Sequence, residues 1–221
     1  MKKRQFKKCS NKLTEIFNDE KLVNKIKVRL PYLFQLAELE SSRADRIGME
    51  VGSLREKIII ALLIYKFGEE NVETEIPITE PEIDVKLFGV SISIKTITKK
   101  KKEDFGGVKI SWTVDTQKSR EFLENYQPTS DILFVLINWD NGGGLYYIPV
   151  KAQKEILRKI EREDYIKLPK PGTNPRGVEI TKKALIELVK HRETRSIEID
   201  WKKTKVDFNP YKRWVDYWKE D

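Results

Sequence analysis

The sequence predicts an α/β fold in which a helical N-terminal region packs on a single core of strands and helices. Apolar residues recur at helical spacing through residues 1–47, whereas from Val72 to Ile148 apolar and polar residues alternate with the period of a strand. Both patterns return over residues 150–221. No repeat or linker divides the 221 residues. We therefore expect one domain with a helical region (1–47), a core (53–149) and a mixed C-terminal part (150–221).

Helices fill the N-terminal region and connect the later strands. Pro31 is expected to open a separate segment, Tyr32–Ile47, because proline favours the first turn of a helix. After a short loop, Ser53 begins a long helix that ends at Gly68 and is apolar on most sides, which indicates burial. Further helices are expected at Lys118–Asn125, Ala152–Glu163, Lys182–Glu193 and Tyr211–Lys219.

Strands and tight turns make up most of the core. The expected strands are Val72–Ile78, Glu82–Phe88, Val90–Thr98, Val108–Val114, Ile132–Asn138, Leu145–Ile148 and, in the C-terminal part, Ser196–Trp201. Gly89–Val90 fits the centre of a type II′ hairpin turn, which needs glycine first. The glycine run Asn141–Gly144 is expected to form a second hairpin turn.

Composition excludes several kinds of site. The chain has one cysteine, Cys9, and one histidine, His191, so an intramolecular disulfide, a Cys/His zinc site and a histidine metal cluster are all impossible. Its net charge of +8 favours a polyanionic partner. The longest apolar run, Ile58–Tyr65, is far shorter than the ~20 residues of a membrane span. We therefore expect a cytoplasmic protein with no membrane partner.

The most informative segment is the hairpin around Gly89–Val90. With that turn, Asp84 lies opposite Lys95, on one face, at a Cβ separation of roughly 5 Å. A carboxylate beside an ammonium suits metal-assisted phosphodiester hydrolysis, because Mg²⁺ takes oxygen ligands and acidifies water while lysine stabilises developing negative charge. From the spacing alone, an ordinary cross-strand salt bridge is the alternative.

Asp84, followed after ten residues by Lys95 and preceded by a long helix, resembles the signature of PD-(D/E)xK nucleases. The resemblance implies one nuclease domain with a mixed β-sheet core flanked by helices, and Mg²⁺ as cofactor. The motif departs from the pattern, since Pro81 is separated from Asp84 and Ser93 replaces the acid two residues before the lysine.

Some members of this superfamily take the missing acid from the preceding helix, which points to Glu56. The resemblance then implies Glu56, Asp84 and Lys95 as catalytic residues, and Asp84, Glu56 and Ile94 as metal ligands. Glu56 has a second interpretation, because Ser53 to Glu56 fits a capping box. Glu80 and Glu82 are rivals for the second carboxylate.

Within the superfamily the chain most resembles type II restriction endonucleases, and in particular a blunt-cutting enzyme for CGCG. This implies sequence-specific double-strand cuts in DNA that leave 5′-phosphate and 3′-hydroxyl ends. A symmetric cut in a palindrome calls for two active sites related by a two-fold axis, hence a homodimer. Two alternatives stay open: a structure-selective nuclease, such as a junction resolvase or repair enzyme, and a non-catalytic basic DNA-binding protein.

Several residues are candidates for binding DNA. Lys99, Lys100, Lys101 and Lys102 directly follow the Lys95 strand and suit phosphate contacts, with a solvated loop as the alternative. Polar side chains on the next strand and helix are candidates for base contacts or else ordinary polar surface: Ser111, Thr113, Gln117, Lys118 and Arg120.

Apolar and aromatic side chains supply two further hypotheses. Met49, in the loop before the Glu56 helix, is either a wedge between base steps or a filler of a core gap. The C-terminal aromatic residues are expected to pack as core or as a subunit contact rather than to stack on bases: Trp201, Tyr211, Trp214, Tyr217 and Trp218.

Overall fold

The computed structural model describes residues 12–43, 46–48, 50–77, 80, 82–99, 106–111, 115–169 and 177–220. Its helices are α1 (12–18), α2 (Glu20–Ser41), α3 (Val51–Phe67), α4 (Thr116–Asn125), α5 (Val150–Lys159), α6 (Arg162–Tyr165), α7 (Lys182–Val189) and α8 (Lys212–Tyr217), with a 3₁₀ turn at Glu69–Asn71. Its strands are β1 (Ser42–Arg43), β2 (Arg46–Ile47), β3 (Val72–Glu73), β4 (Val85–Leu87), β5 (Val90–Thr98), β6 (Val108–Ser111), β7 (Asp131–Ile137), β8 (Asn141–Ile148), β9 (Ile166–Lys167), β10 (Val178–Ile180) and β11 (Arg195–Trp201).

A six-stranded mixed sheet lies at the centre of the fold, in the order β11-β8-β7-β5-β4-β3. The β5–β7 pair is parallel and the other pairs are antiparallel. Apolar side chains of α1, α2 and α3 cover one face of the sheet. The other face packs against α4 to α7 and a second sheet, β6-β10-β9. The predicted α/β fold class is confirmed, and no described helix is long and apolar enough to cross a membrane.

The N-terminal helices differ from the prediction in two respects. α2 continues through Pro31 instead of restarting there, and it ends at Ser41, so the helical region stops before Ile47 and the short hairpin β1–β2 follows. The apolar stripe of α2 explains the continuity, because its buried side chains keep helical spacing on both sides of the proline. These are Leu22, Ile26, Leu30, Phe34 and Ala37. Burial of the stripe outweighs the hydrogen bond that proline removes.

The capping-box interpretation of Ser53 and Glu56 is wrong, because α3 begins at Val51. Ser53 is therefore inside the helix, and the preceding residue, Glu50, makes no side-chain cap. Glu56 lies in the second turn, where its side chain cannot return to an N-cap amide.

The β4–β5 hairpin is shifted by two residues from the predicted register. Leu87 pairs with Val90, so Phe88 and Gly89 form the turn, with φ values of 49° and 76°. Two positive φ values are typical of a type I′ turn rather than the predicted II′. Phe88 is held there because its N–H donates to the Asn71 carbonyl at 2.8 Å and its ring packs on Phe67. A shift of two preserves which face each side chain occupies.

Asn141–Gly144 is a strand rather than a turn. These residues begin β8 and pair with β11, and the chain reverses earlier, where Asp140 has a φ of 64°. A side chain at Gly143 would collide with the Leu136 carbonyl and the Trp201 indole. The glycine therefore serves close packing within the sheet.

The C-terminal aromatic residues divide into two groups. Trp201 is fully buried against Phe34 and Trp139, as predicted. The aromatic residues at the final helix are exposed in the described chain, so Tyr211, Trp214, Tyr217 and Trp218 do not join the core. The other half of the expectation, a subunit contact, stays a prediction for these four residues. The other helices and strands keep their predicted order, although β3, β4 and α7 are shorter than expected.

Candidate active site

Asp84 and Lys95 lie side by side at the centre of the candidate site. Asp84 immediately precedes β4, and its Oδ2 accepts hydrogen bonds from Lys95 Nζ at 3.1 Å, the Ile94 N–H at 2.5 Å and Ser93 Oγ at 3.2 Å. Both side chains of the ion pair are only 16% exposed. Three donors thus fix the orientation of one carboxylate oxygen, and the serine that replaces the motif's acid is one of them.

The pair of Asp84 and Lys95 lies at the point along β5 where its pairing with β4 ends. β4 pairs only with Val90–Ile92, and in the part of the chain that the structure describes no strand continues along that edge of β5. The Ile94 N–H faces this open edge, where Asp84 accepts from it. The N–H and C=O of one strand residue point to the same side, so the Ile94 carbonyl also faces the open edge. A third oxygen is thereby available near the carboxylate.

Glu56 reaches the same place from α3. It lines a cleft of about 360 Å³ together with Ile94 and Lys95, and β6 and β10 contribute the opposite wall. Burial raises the pKa of Glu56, the negative charge of Asp84 raises it further, and the positive charges of Lys95 and Lys57 oppose both effects. Glu56 and Asp84 are therefore close enough to repel one another.

Glu80 and Glu82 occupy different surroundings. Glu80 forms an ion pair with Lys86 at 3.2 Å. Glu82 lines a separate cavity of about 450 Å³ with Tyr126. Burial raises the pKa of Glu82, and the nearby charge of Lys95 lowers it. Glu82 thus lies near the lysine, but of the three candidate acids Glu56, Glu80 and Glu82 it is Glu56 that lines the cleft with Lys95.

These residues fit a hard divalent cation. Among the described residues no three His, Cys, Asp or Glu side chains form a metal-binding group. Mg²⁺ needs fewer than three such side chains, because it keeps several waters and is often bound through one or two carboxylates. The repulsion between Glu56 and Asp84 is the kind of energy that a cation between them would relieve. Two carboxylates and a carbonyl at one open edge therefore suit Mg²⁺.

None of the predicted DNA-binding residues whose side chains the structure describes lines the cleft. Lys99 follows β5 directly and is half-buried, and its N–H donates to the Ile137 carbonyl at 2.8 Å. On α4, the first turns expose Gln117, Lys118 and Arg120, which do not line the cleft. The remaining candidates are outside what the structure describes: Met49, Lys100, Lys101, Lys102, Thr113 and the side chain of Ser111.

Two charged residues that the sequence did not single out also line the cleft. Lys109 of β6 and Glu179 of β10 line it together with Lys95. The pairing of β6 with β10 places Lys109 opposite Glu179. Lys109 ends a lysine-rich stretch, residues 95–109, whose charge is visible in the sequence, but nothing in the sequence around Glu179 indicates this position.

Comparison with known proteins gives three findings. A family model described as "Restriction endonuclease ThaI" matches residues 16–220. A solved structure described as "Restriction endonuclease in complex with substrate DNA" is 60% identical in sequence, with a TM-score of 0.86, and the alignment covers 95% of this chain and 99% of that chain. A comparison with curated proteins finds no match.

Proposed function

This chain belongs to the ThaI restriction endonuclease family and is a type II site-specific nuclease, and we propose that it cuts duplex DNA with Mg²⁺ held beside Glu56, Asp84 and Lys95. The observation that carries the proposal is the meeting of these three residues at the open edge of β5. A surface salt bridge would explain Asp84 and Lys95 alone. It would not explain why a second, half-buried acid, Glu56, lines the cleft with Lys95 and lies close enough to Asp84 for its charge to raise the pKa of Glu56.

Each residue has a defined role in the proposed reaction. Asp84, Glu56 and the Ile94 carbonyl would hold the metal ion. When bound, Mg²⁺ acidifies a water and neutralises charge on the phosphate. Lys95 orients the attacking water and stabilises the negative charge that develops on the phosphorus oxygens. Ser93 and the Ile94 N–H keep Asp84 in position through their hydrogen bonds to Oδ2.

The proposed substrate is double-stranded DNA with the sequence CGCG, cut to blunt ends. The similarity to a restriction endonuclease solved with substrate DNA supports DNA as the substrate. A symmetric cut needs two copies of the cleft, so we propose a homodimer on DNA. Lys99 to Lys102 would contact phosphates, and Met49 would enter between base steps from the loop that precedes α3.

A plasmid assay tests the proposal. Discrete fragments with Mg²⁺, none with EDTA, and no cutting of a plasmid whose CGCG sites are removed are the expected results. Asp84→Asn should bind DNA without cutting it, while Asp216→Asn, an exposed carboxylate that does not line the cleft, should cut normally. Cutting confined to branched DNA would indicate the structure-selective alternative, and retardation without cutting would indicate a binding protein.

A further inference from the structure

We propose that the buried ion pair of Arg55 and Glu38, together with Thr98, positions Glu56 in the active-site cleft. The inference rests on the proposed catalytic role of Glu56 and assigns a function to residues that do not touch the substrate. Arg55, Glu38 and Thr98 are positioning residues because they act through the placement of helix α3 relative to strand β5.

One side chain joins three parts of the fold. Arg55 is the residue before Glu56 on α3, and its side chain is 5% exposed. Its Nη2 donates to Glu38 Oε1 of α2 at 2.6 Å, and its Nη1 donates to Thr98 Oγ1 at 3.0 Å. Thr98 ends β5, the strand that carries Lys95. The guanidinium therefore connects the helix that carries one catalytic residue to the strand that carries another.

Glu38 is itself held by two other segments. Trp139 Nε1, from the β7–β8 connection, donates to Glu38 Oε1 at 2.8 Å, and Lys203 Nζ lies 3.2 Å from Glu38 Oε2. The Phe34 ring lies 5.6 Å from the Arg55 guanidinium carbon. The carboxylate that holds Arg55 thus has little freedom to follow a moving helix.

Stability alone does not account for this cluster. A buried ion pair loses its hydration, and well-packed apolar side chains of similar volume often replace such pairs without loss of stability. Within the described residues Arg55 Nε has no hydrogen-bond partner, which adds to the cost. The best-attested use of a buried polar group is to fix the register of packed elements.

Helix α3 needs such a group because its apolar pattern does not specify one face. Residues 58–64 read Ile-Ile-Ile-Ala-Leu-Leu-Ile without a polar position, so several rotations about the helix axis would bury similar apolar area. Each residue step is about 100° around the helix. Fixing the direction of Arg55 therefore fixes that of Glu56, and a misplacement of 1 Å in an active site can cost about 10²-fold in rate.

The main test compares Thr98→Val with Thr98→Ser in the full-length protein. Valine keeps the shape and removes the hydroxyl acceptor, so we expect single-turnover cleavage to slow at least tenfold and to require more Mg²⁺. Serine restores the hydroxyl and should restore the rate. DNA affinity in EDTA should be unchanged in both variants, because Thr98 is not a proposed DNA contact.

A matched control removes a hydrogen bond between a hydroxyl and a different buried ionisable side chain, here a carboxyl group. Tyr147→Phe deletes the bond from Tyr147 Oη to Asp131 Oδ2, which is 2.9 Å long and outside the cleft. It should lower Tm comparably and leave cleavage normal. If Thr98→Val cuts as fast as Tyr147→Phe, the positioning proposal is wrong. Should Thr98→Val fail to fold, Arg55→Lys provides the test, because an ammonium cannot reproduce the two-pronged bonding, and a wild-type rate would overturn the proposal.

Glu56→Gln separates failure of this inference from failure of the proposed function. A slow Glu56→Gln with a normal Thr98→Val overturns only the positioning role. A normal Glu56→Gln overturns the catalytic assignment, and the inference with it. In the Glu56→Gln background, Thr98→Val should add little further loss, because both changes act through one carboxylate. If Thr98→Val slows cleavage by the same factor in the wild-type and the Glu56→Gln proteins, Thr98 acts independently of Glu56.

Discussion

Replacing Glu56 with glutamine removes one negative charge from the cleft and leaves its shape almost unchanged. The variant tests whether the acid from α3 takes the place of the one that Ser93 lacks. In the structure Glu56 is half-buried, lines the cleft with Lys95, and has its pKa raised by burial and by Asp84. The raised pKa depends on the charge of the carboxylate, which glutamine removes, and not on the size of the side chain, which glutamine keeps.

The expected loss of activity is large. Substituting a group that only supports a metal ligand typically costs about 10- to 100-fold in metal affinity or activity. Glu56 would be one of two carboxylates on the ion itself, so we expect single-turnover cleavage to fall by more than about 100-fold, with a higher Mg²⁺ requirement.

Thermal stability, unlike activity, should not fall in the Glu56→Gln variant. The pKa of Glu56 is raised above its ordinary value of 4.5, so the folded protein binds the proton more tightly than the unfolded chain does. Without Mg²⁺, the free energy of unfolding of the wild-type protein therefore falls as the pH rises from the ordinary pKa through the raised one. Glutamine lacks this titration. The metal-free variant should melt at the same or a higher temperature than wild type near neutral pH.

The assay combines single-turnover cleavage of a CGCG duplex across a Mg²⁺ titration with melting curves in EDTA at acidic and neutral pH. Glu82→Gln is the matched control, since Glu82 is also a half-buried acid near Lys95 but lines the other cavity. It should cut at a rate close to that of wild type. A Glu56→Gln enzyme within threefold of wild type at saturating Mg²⁺ would refute the reasoning, and a slow Glu82→Gln would make Glu82 the second carboxylate.

Four other changes give distinct expected outcomes. Lys95→Ala should abolish cleavage in gel assays and leave DNA binding largely intact, because lysine acts on the transition state; near-normal cutting would contradict this role. Ser93→Ala should be mild, within about tenfold in rate and about 1 kcal/mol in unfolding free energy, because it removes one of three bonds to the same carboxylate oxygen. Two alanines within Lys99–Lys102 should weaken binding to specific and random DNA alike and flatten the salt dependence by ~0.9 in slope per lost phosphate contact; loss on the specific site alone would indicate base contacts. Gly143→Ala should lower Tm, because the added carbon meets a strand carbonyl; an unchanged Tm would show that β8 shifts without cost.

The sequence predicted the pairing of Asp84 with Lys95 from a hairpin whose turn was wrong. The turn is at Phe88 and Gly89, one residue earlier than expected, and this shifts the pairing of the two strands by two residues. An even shift leaves the faces of a strand unchanged, so the two side chains still meet. A shift of one would have placed them on opposite faces. Alternation along strands is thus a safer basis for locating a site than the identity of a turn.

Other features depended on tertiary contacts that local sequence does not reveal. Pro31 remains inside α2 because a buried stripe spans it. Gly143 lies in a strand because Trp201, far along the chain, packs against it. The partners of Arg55 come from two other segments, α2 and β5, so its burial could not be inferred from the capping motif in which it lies.

The open edge of β5 has a consequence for solubility. Unpaired N–H and C=O groups along a strand are a template on which another chain can add a strand, and natural proteins block such edges with inward-pointing charge. Here the carboxylate of Asp84 accepts a hydrogen bond from the Ile94 N–H, and the ammonium of Lys95 lies beside that carboxylate. The charges proposed for catalysis would thus also oppose the addition of a strand from another chain at this edge.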